Sequence, residues 1–74
     1  MHKIRDEKVL KTFGDNFRRI RKQKKLTQEE LAFKSGIAFS SVVRIEQGQL
    51  NTTVCTIVKL AEALEIEKGQ LLDF

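Results

Sequence analysis

The sequence predicts an all-α fold of five helices, on three observations. It contains no proline, its apolar residues recur at spacings of three and four, and its breaks are brief and built around Gly, Asn and Thr. Seventy-four residues make one domain, residues 1–74, with an N-terminal arm at about 1–5; a chain this short holds one thin core and no deep substrate cavity. With 41% hydrophobic and 32% charged residues, it is too apolar to be disordered.

Leu10, Phe13, Phe17 and Ile20 form the apolar stripe of a first helix over about 6–24, with Asp6 as its cap. Gly14 falls inside that stripe and should cost about 1 kcal/mol relative to Ala, so a start near Asp15 is the alternative. Thr27-Gln28-Glu29-Glu30 is a capping box that opens a second helix, and Gly36 stops it after Ser35. The third helix runs from Ile37 to Gln47, with Gly48 as its stop. Asn51 to Thr53 cap a fourth helix over about 54–65, which carries Val54, Ile57, Val58, Leu60, Ala61 and Leu64. Lys68 to Asp73 make a short fifth helix with Leu71 and Leu72.

Charge is unevenly spread. Residues 1–25 hold ten Lys or Arg against three acids, whereas residues 26–74 hold four against seven. The local excess, crowded into Arg18, Arg19, Arg21, Lys22, Lys24 and Lys25, suits both a helix C-terminus and a polyanionic partner. One Cys and one His, Cys55 and His2, make neither an internal disulfide nor a metal site. Cys55 reads as a semi-buried small apolar residue, His2 as part of a disordered terminus, and Phe33 as a packing residue against a neighbouring helix. No apolar run approaches the ~20 residues of a membrane span and residues 1–11 lack a secretory signal, so the expected location is the cytoplasm, with no membrane partner. An enzyme is excluded on ingredients: there is no nucleophile–His pair, no metal spacing and no phosphate-binding Gly loop. No cofactor or small-molecule substrate is implied.

Helices 2 and 3, joined through Gly36, have the spacing of a helix-turn-helix, whose second helix can enter a DNA major groove. On a helical wheel Ala38, Val42 and Ile45 face the core, and Phe39, Ser40, Val43, Arg44 and Gln47 face outward. A solvated arc would mix Lys with Glu. This one has a single Arg and no acid, which suits phosphates and base edges, and Arg44 has the reach for a bidentate contact with guanine O6 and N7. Leu50, Ile66, Leu72 and Phe74 form an apolar set larger than the last two helices need, and part of it is expected to meet a second copy of the chain.

The run Leu26-Thr27-Gln28-Glu29-Glu30-Leu31-Ala32, then Lys34 to Ile37, Val42 to Gly48, Asn51 and Leu60 to Leu64 resembles the helix-turn-helix of the Cro and phage-repressor (XRE) family, which includes restriction–modification controllers and antitoxins. The resemblance covers about residues 13–73 and implies a five-helix, lambda-repressor-like domain that docks on double-stranded DNA as a homodimer at a palindromic operator. Carried over by position, it puts Phe39, Ser40, Val43 and Arg44 at the bases. Thr27, Gln28, Ser41, Gln47, Asn51 and Thr53 fall at the phosphates, and Arg21 and Glu46 form a structural ion pair. Two positions depart from the family pattern. Ala38 stands where a capping Ser or Thr is usual, forfeiting about 1 kcal/mol, and Phe39 replaces a polar reader. The alternative reading is an antitoxin, whose protein partner would meet the C-terminal apolar set or the N-terminal arm, or an interaction module without DNA binding, which the two departures would signal.

Overall fold

The computed structural model describes residues 4–74, and among them every regular element is helical. His2 lies outside the described residues. The first helix, α1 (Glu7–Gln23), starts where Asp6 Oδ1 accepts the N–H groups of Lys8 and Val9 at 3.0 and 3.1 Å. It continues unbroken through Gly14, so the alternative start at Asp15 is wrong. The reason is tertiary: α1 crosses α3 (Phe39–Glu46) so closely that a Cβ on residue 14 would sit 2.5 Å from the Ile45 carbonyl oxygen. Leu10, Phe13, Phe17 and Ile20 are all buried, as the stripe predicts.

Thr27 opens α2 (Gln28–Ser35) with both halves of the capping box: the Glu30 N–H donates to Thr27 Oγ1 at 3.0 Å, and the Thr27 N–H to Glu30 Oε1 at 2.9 Å. Leu31 and Ala32 are its buried residues, and Gly36 ends it. The next helix starts later than the sequence suggests. Ala38 is the extended N-cap of α3 and makes no side-chain cap bond; it is exposed rather than core-facing, because a residue outside the helical backbone does not follow the wheel. Ile37 lies in the turn, packed against the core. At the far end Gly48, with φ 72°, lets the Gln49 N–H close onto the Arg44 carbonyl at 2.9 Å.

Thr53 caps α4 (Val54–Leu64) by accepting the Thr56 N–H at 3.2 Å. The expected fifth α-helix is instead a 3-10 helix over Lys68–Leu72. Five residues offer few i to i−4 bonds, and the carbonyls of Gln70 and Leu71 are drawn to Asn16 Nδ2 at 3.0 and 3.1 Å. Asn16, buried on α1, was not singled out by periodicity, yet it ties the C-terminus to the first helix.

Phe17, Leu31, Val42, Ile45, Leu60, Leu64 and Leu71 are completely buried and come from every element, so the core is one cluster. α1 packs on α3 and the 3-10 helix, while α2 packs on α3 and α4. This leaves one side of α3 uncovered.

Candidate nucleic-acid interface

What α3 shows outward follows from what it must bury. Val42 and Ile45 are 0% and 1% exposed, and a period of 3.6 then turns Phe39, Ser40 and Arg44 to the opposite side. These three and Gln47 are exposed, Phe39 at 48%; Ser41 and Val43 are half-buried at the flanks. Among the described residues Arg44 has no carboxylate partner.

Glu46, the one acid of α3, is turned away from that surface. Its Oε2 accepts Arg21 Nε at 2.5 Å and its Oε1 accepts Arg21 Nη2 at 3.0 Å, with the side chains 10% and 3% exposed. Arg21 Nη1 also donates to the Leu26 carbonyl at 2.7 Å, and Gln28 Nε2 donates to Glu46 Oε1 at 3.0 Å. One buried network therefore joins α1, the start of α2 and the end of α3, and fixes the angle at which α3 stands out from the domain. It also keeps negative charge off the outer face.

The network changes what is available around α3. Gln28, expected at a phosphate, donates one side-chain amide hydrogen to Glu46, so its side chain is partly engaged within the chain, while its main-chain N–H stands at the start of α2. Thr27 Oγ1 accepts the Glu30 N–H, and its hydroxyl hydrogen is shared with the Glu30 carboxylate. The Thr27 main-chain N–H, and after it the hydroxyl, hold the exposed Glu30 carboxyl below the usual carboxylate range. Asn51 Nδ2 donates to the Ile4 carbonyl at 3.0 Å, so this side chain is also partly engaged within the chain. Thr53 remains exposed at the first turn of α4.

The apolar C-terminal set divides. Leu50, Leu72 and Phe74 line one groove with Val9, Phe13 and Ile57, and the Phe74 ring packs 6.4 Å from that of Phe13. Ile66 is not among them; it packs against the core on another side, near Val58 and Ala61. Two further expectations fail. Phe33 is 90% exposed because the buried positions of α2 are taken by Leu31 and Ala32, and Cys55 is exposed in the first turn of α4, before the buried stretch from Leu60.

Residues 17–71 match the helix-turn-helix family. A regulator of Sinorhizobium fredii, the HTH-type transcriptional regulator y4dJ, is 40% identical over 62 residues that cover 84% of this chain and 80% of the relative. The chain belongs to the XRE-type helix-turn-helix family. Among other members, the control protein C.BamHI of Bacillus amyloliquefaciens is 36% identical over 84% of this chain and 78% of its own length. The transcriptional repressor RghR of Bacillus subtilis is 41% identical over 77% of this chain, which spans 43% of that longer protein. The crystal structure of the restriction–modification controller protein C.AhdI from Aeromonas hydrophila superimposes with a TM-score of 0.82 at 47% identity, over 84% of this chain and 94% of that one. XRE-type proteins are DNA-binding transcription regulators and not an enzyme family. Among the described residues, no helix is long and apolar enough to cross a membrane.

Proposed function

We propose that the protein is a sequence-specific transcriptional regulator that binds a palindromic operator in double-stranded DNA as a homodimer, with α3 in the major groove. The observation that carries this reading is the outer face of α3: Phe39, Ser40, Arg44 and Gln47 exposed, and the one acid of α3, Glu46, locked inward on Arg21. Arg44 reads a guanine through its planar fork, Ser40 takes a base-edge hydrogen bond, and Phe39 with Val43 packs against thymine methyls. Thr27, the main chain of Gln28, Ser41, Gln47, Asn51 and Thr53 hold the phosphates on either side.

An eight-residue helix makes too few base contacts for selectivity by itself, and a twofold pair set ~34 Å apart doubles them. The groove of Leu50, Leu72 and Phe74 supplies the apolar surface for that pair, extended by Val9 at 48% exposure. With monomer and dimer in exchange, occupancy rises with protein concentration, which suits a regulator of its own synthesis. Selection of bound sites from random duplex at two salt concentrations tests the whole reading. Two inverted half-sites about 10 base pairs apart are expected; binding with no sequence preference would overturn it.

A further inference from the structure

The first described residues of the chain are fastened to the loop that follows α3. The Ile4 carbonyl accepts Asn51 Nδ2 at 3.0 Å, and Arg5 Nη2 donates to the Gln49 carbonyl at 3.1 Å. The same loop is fixed from the other side, since the Gln49 N–H closes onto the Arg44 carbonyl at 2.9 Å. As a result Arg5 and Arg44, far apart in sequence, line one open depression with Ile4, Gln49 and Asn51, at the C-terminal end of α3.

Two guanidinium groups on the rim of one depression repel each other unless something anionic lies between them. Glu46, the nearest acid in sequence to Arg44, is turned inward to Arg21. Among the described residues, the one carboxylate that engages either group is Glu7, whose Oε1 lies 2.6 Å from Arg5 Nε. That contact and the Gln49 carbonyl occupy one edge of the Arg5 guanidinium. Both N–H groups of Nη1 and one of Nη2 have no partner among the described residues. The Arg5 side chain is 45% exposed, so its free donors are pre-positioned rather than buried, and an incoming anion meets a group already held by main-chain and carboxylate bonds.

We propose that Arg5 binds a backbone phosphate of the operator, which makes the segment before α1 part of the DNA interface. Asn51 then acts as a positioning residue: one of its amide hydrogens holds the arm through Ile4, and it serves the phosphate mainly by keeping Arg5 against the loop. This inference rests on the reading of α3 as the recognition helix, because that docking brings the loop after α3 to the sugar–phosphate wall. The ligand is duplex DNA, recognised by charge and not by sequence.

The test measures the dissociation constant of the full chain on its selected site and on random duplex across a salt series. Arg5→Ala should weaken both complexes by the same factor, about eightfold at ~0.1 M salt, and lower the slope of log K against log salt by about 0.9. Lys68→Ala, which removes the same charge from the 3-10 helix, should leave that slope unchanged and so separates a local contact from net charge. Asn51→Ala should lower the slope in the otherwise native chain and do nothing further in the Arg5→Ala background. An Arg5→Ala slope equal to that of the native chain or of Lys68→Ala overturns the inference while leaving the proposed function standing. A native chain that selects no sequence overturns both.

Discussion

Gly14 and Ile45 stand so close that a Cβ on residue 14 would lie 2.5 Å from the Ile45 carbonyl oxygen and 2.9 Å from that of Glu46. Both neighbours are main-chain atoms of α3, so neither can turn aside as a side chain could. Helix propensity alone says that Gly14→Ala gains about 1 kcal/mol. The contact reverses the sign: overpacking between two helices costs about 1–3 kcal/mol. Urea unfolding should show a lower midpoint for Gly14→Ala, and DNA binding should weaken with it, since the displaced element is α3. A raised midpoint would show that α1 and α3 are not in contact at this crossing.

Glu46 is the hub of the buried network. Glu46→Ala leaves the Arg21 guanidinium in a site 10% exposed with no counter-charge, and losing one partner of a buried pair costs about 3–5 kcal/mol. Replacing both residues, as Arg21→Met with Glu46→Leu, should recover much of that loss, because the unpaired charge is then gone. The expected order of thermal midpoints puts Glu46→Ala below both the native chain and the double variant.

Arg44 has no competing ion pair among the described residues, so removing its side chain should act on DNA and not on folding. Arg44→Ala is expected to weaken the selected site by roughly 1–3 kcal/mol and to relax preference at one base step in each half-site. Thermal unfolding should be unaffected. An equal loss on selected and random duplex would move Arg44 from the bases to the backbone.

The capping box gives stability a pH dependence of definite sign. Glu30 is held below the ordinary carboxylate range by its bonds with Thr27, so its contribution is fully present above the unfolded value, near about 4.3. It is lost as pH falls through the lowered folded value. Glu30→Gln keeps the geometry of the box without titrating. The gap in melting temperature between the native chain and this variant should therefore shrink between about pH 6 and about pH 3. A gap that stays constant would mean the carboxylate charge does not matter there.

Glu65 adopts φ 57° where α4 ends, and its N–H and that of Ile66 close onto Glu62 and Ala61. A side chain in that left-handed conformation costs about 1–2 kcal/mol, part of which Gly would recover against its larger unfolded-state entropy. Glu65→Gly should raise the melting temperature by a few degrees; a fall would mean the Glu65 side chain contributes more than its backbone strain costs.

Lys25, with φ 58°, ends α1 in the same way. Neither it nor Glu65 carries a chemical sign of that conformation. Gly36 and Gly48 were legible as stops because glycine is the residue that bears a left-handed turn without penalty, whereas Lys25 and Glu65 are placed there only because the chain must reverse to pack the following element.

The same division runs through the interface. Legible from the chain alone were Asp6 as a cap, the capping box of α2, the buried stripe from Leu10 to Ile20, and the face of α3 that Val42 and Ile45 force outward. All of these depend on hydrogen bonds or periodicities within a few residues. Packing between distant segments sets the rest: Gln28 turns to Glu46, Asn51 holds the arm, Ile66 stands apart from Leu50, Leu72 and Phe74, and the last five helical residues wind as a 3-10 turn under Asn16. An amide side chain has several partners within its reach, and which one it takes is fixed by the element that packs beside it, often tens of residues away.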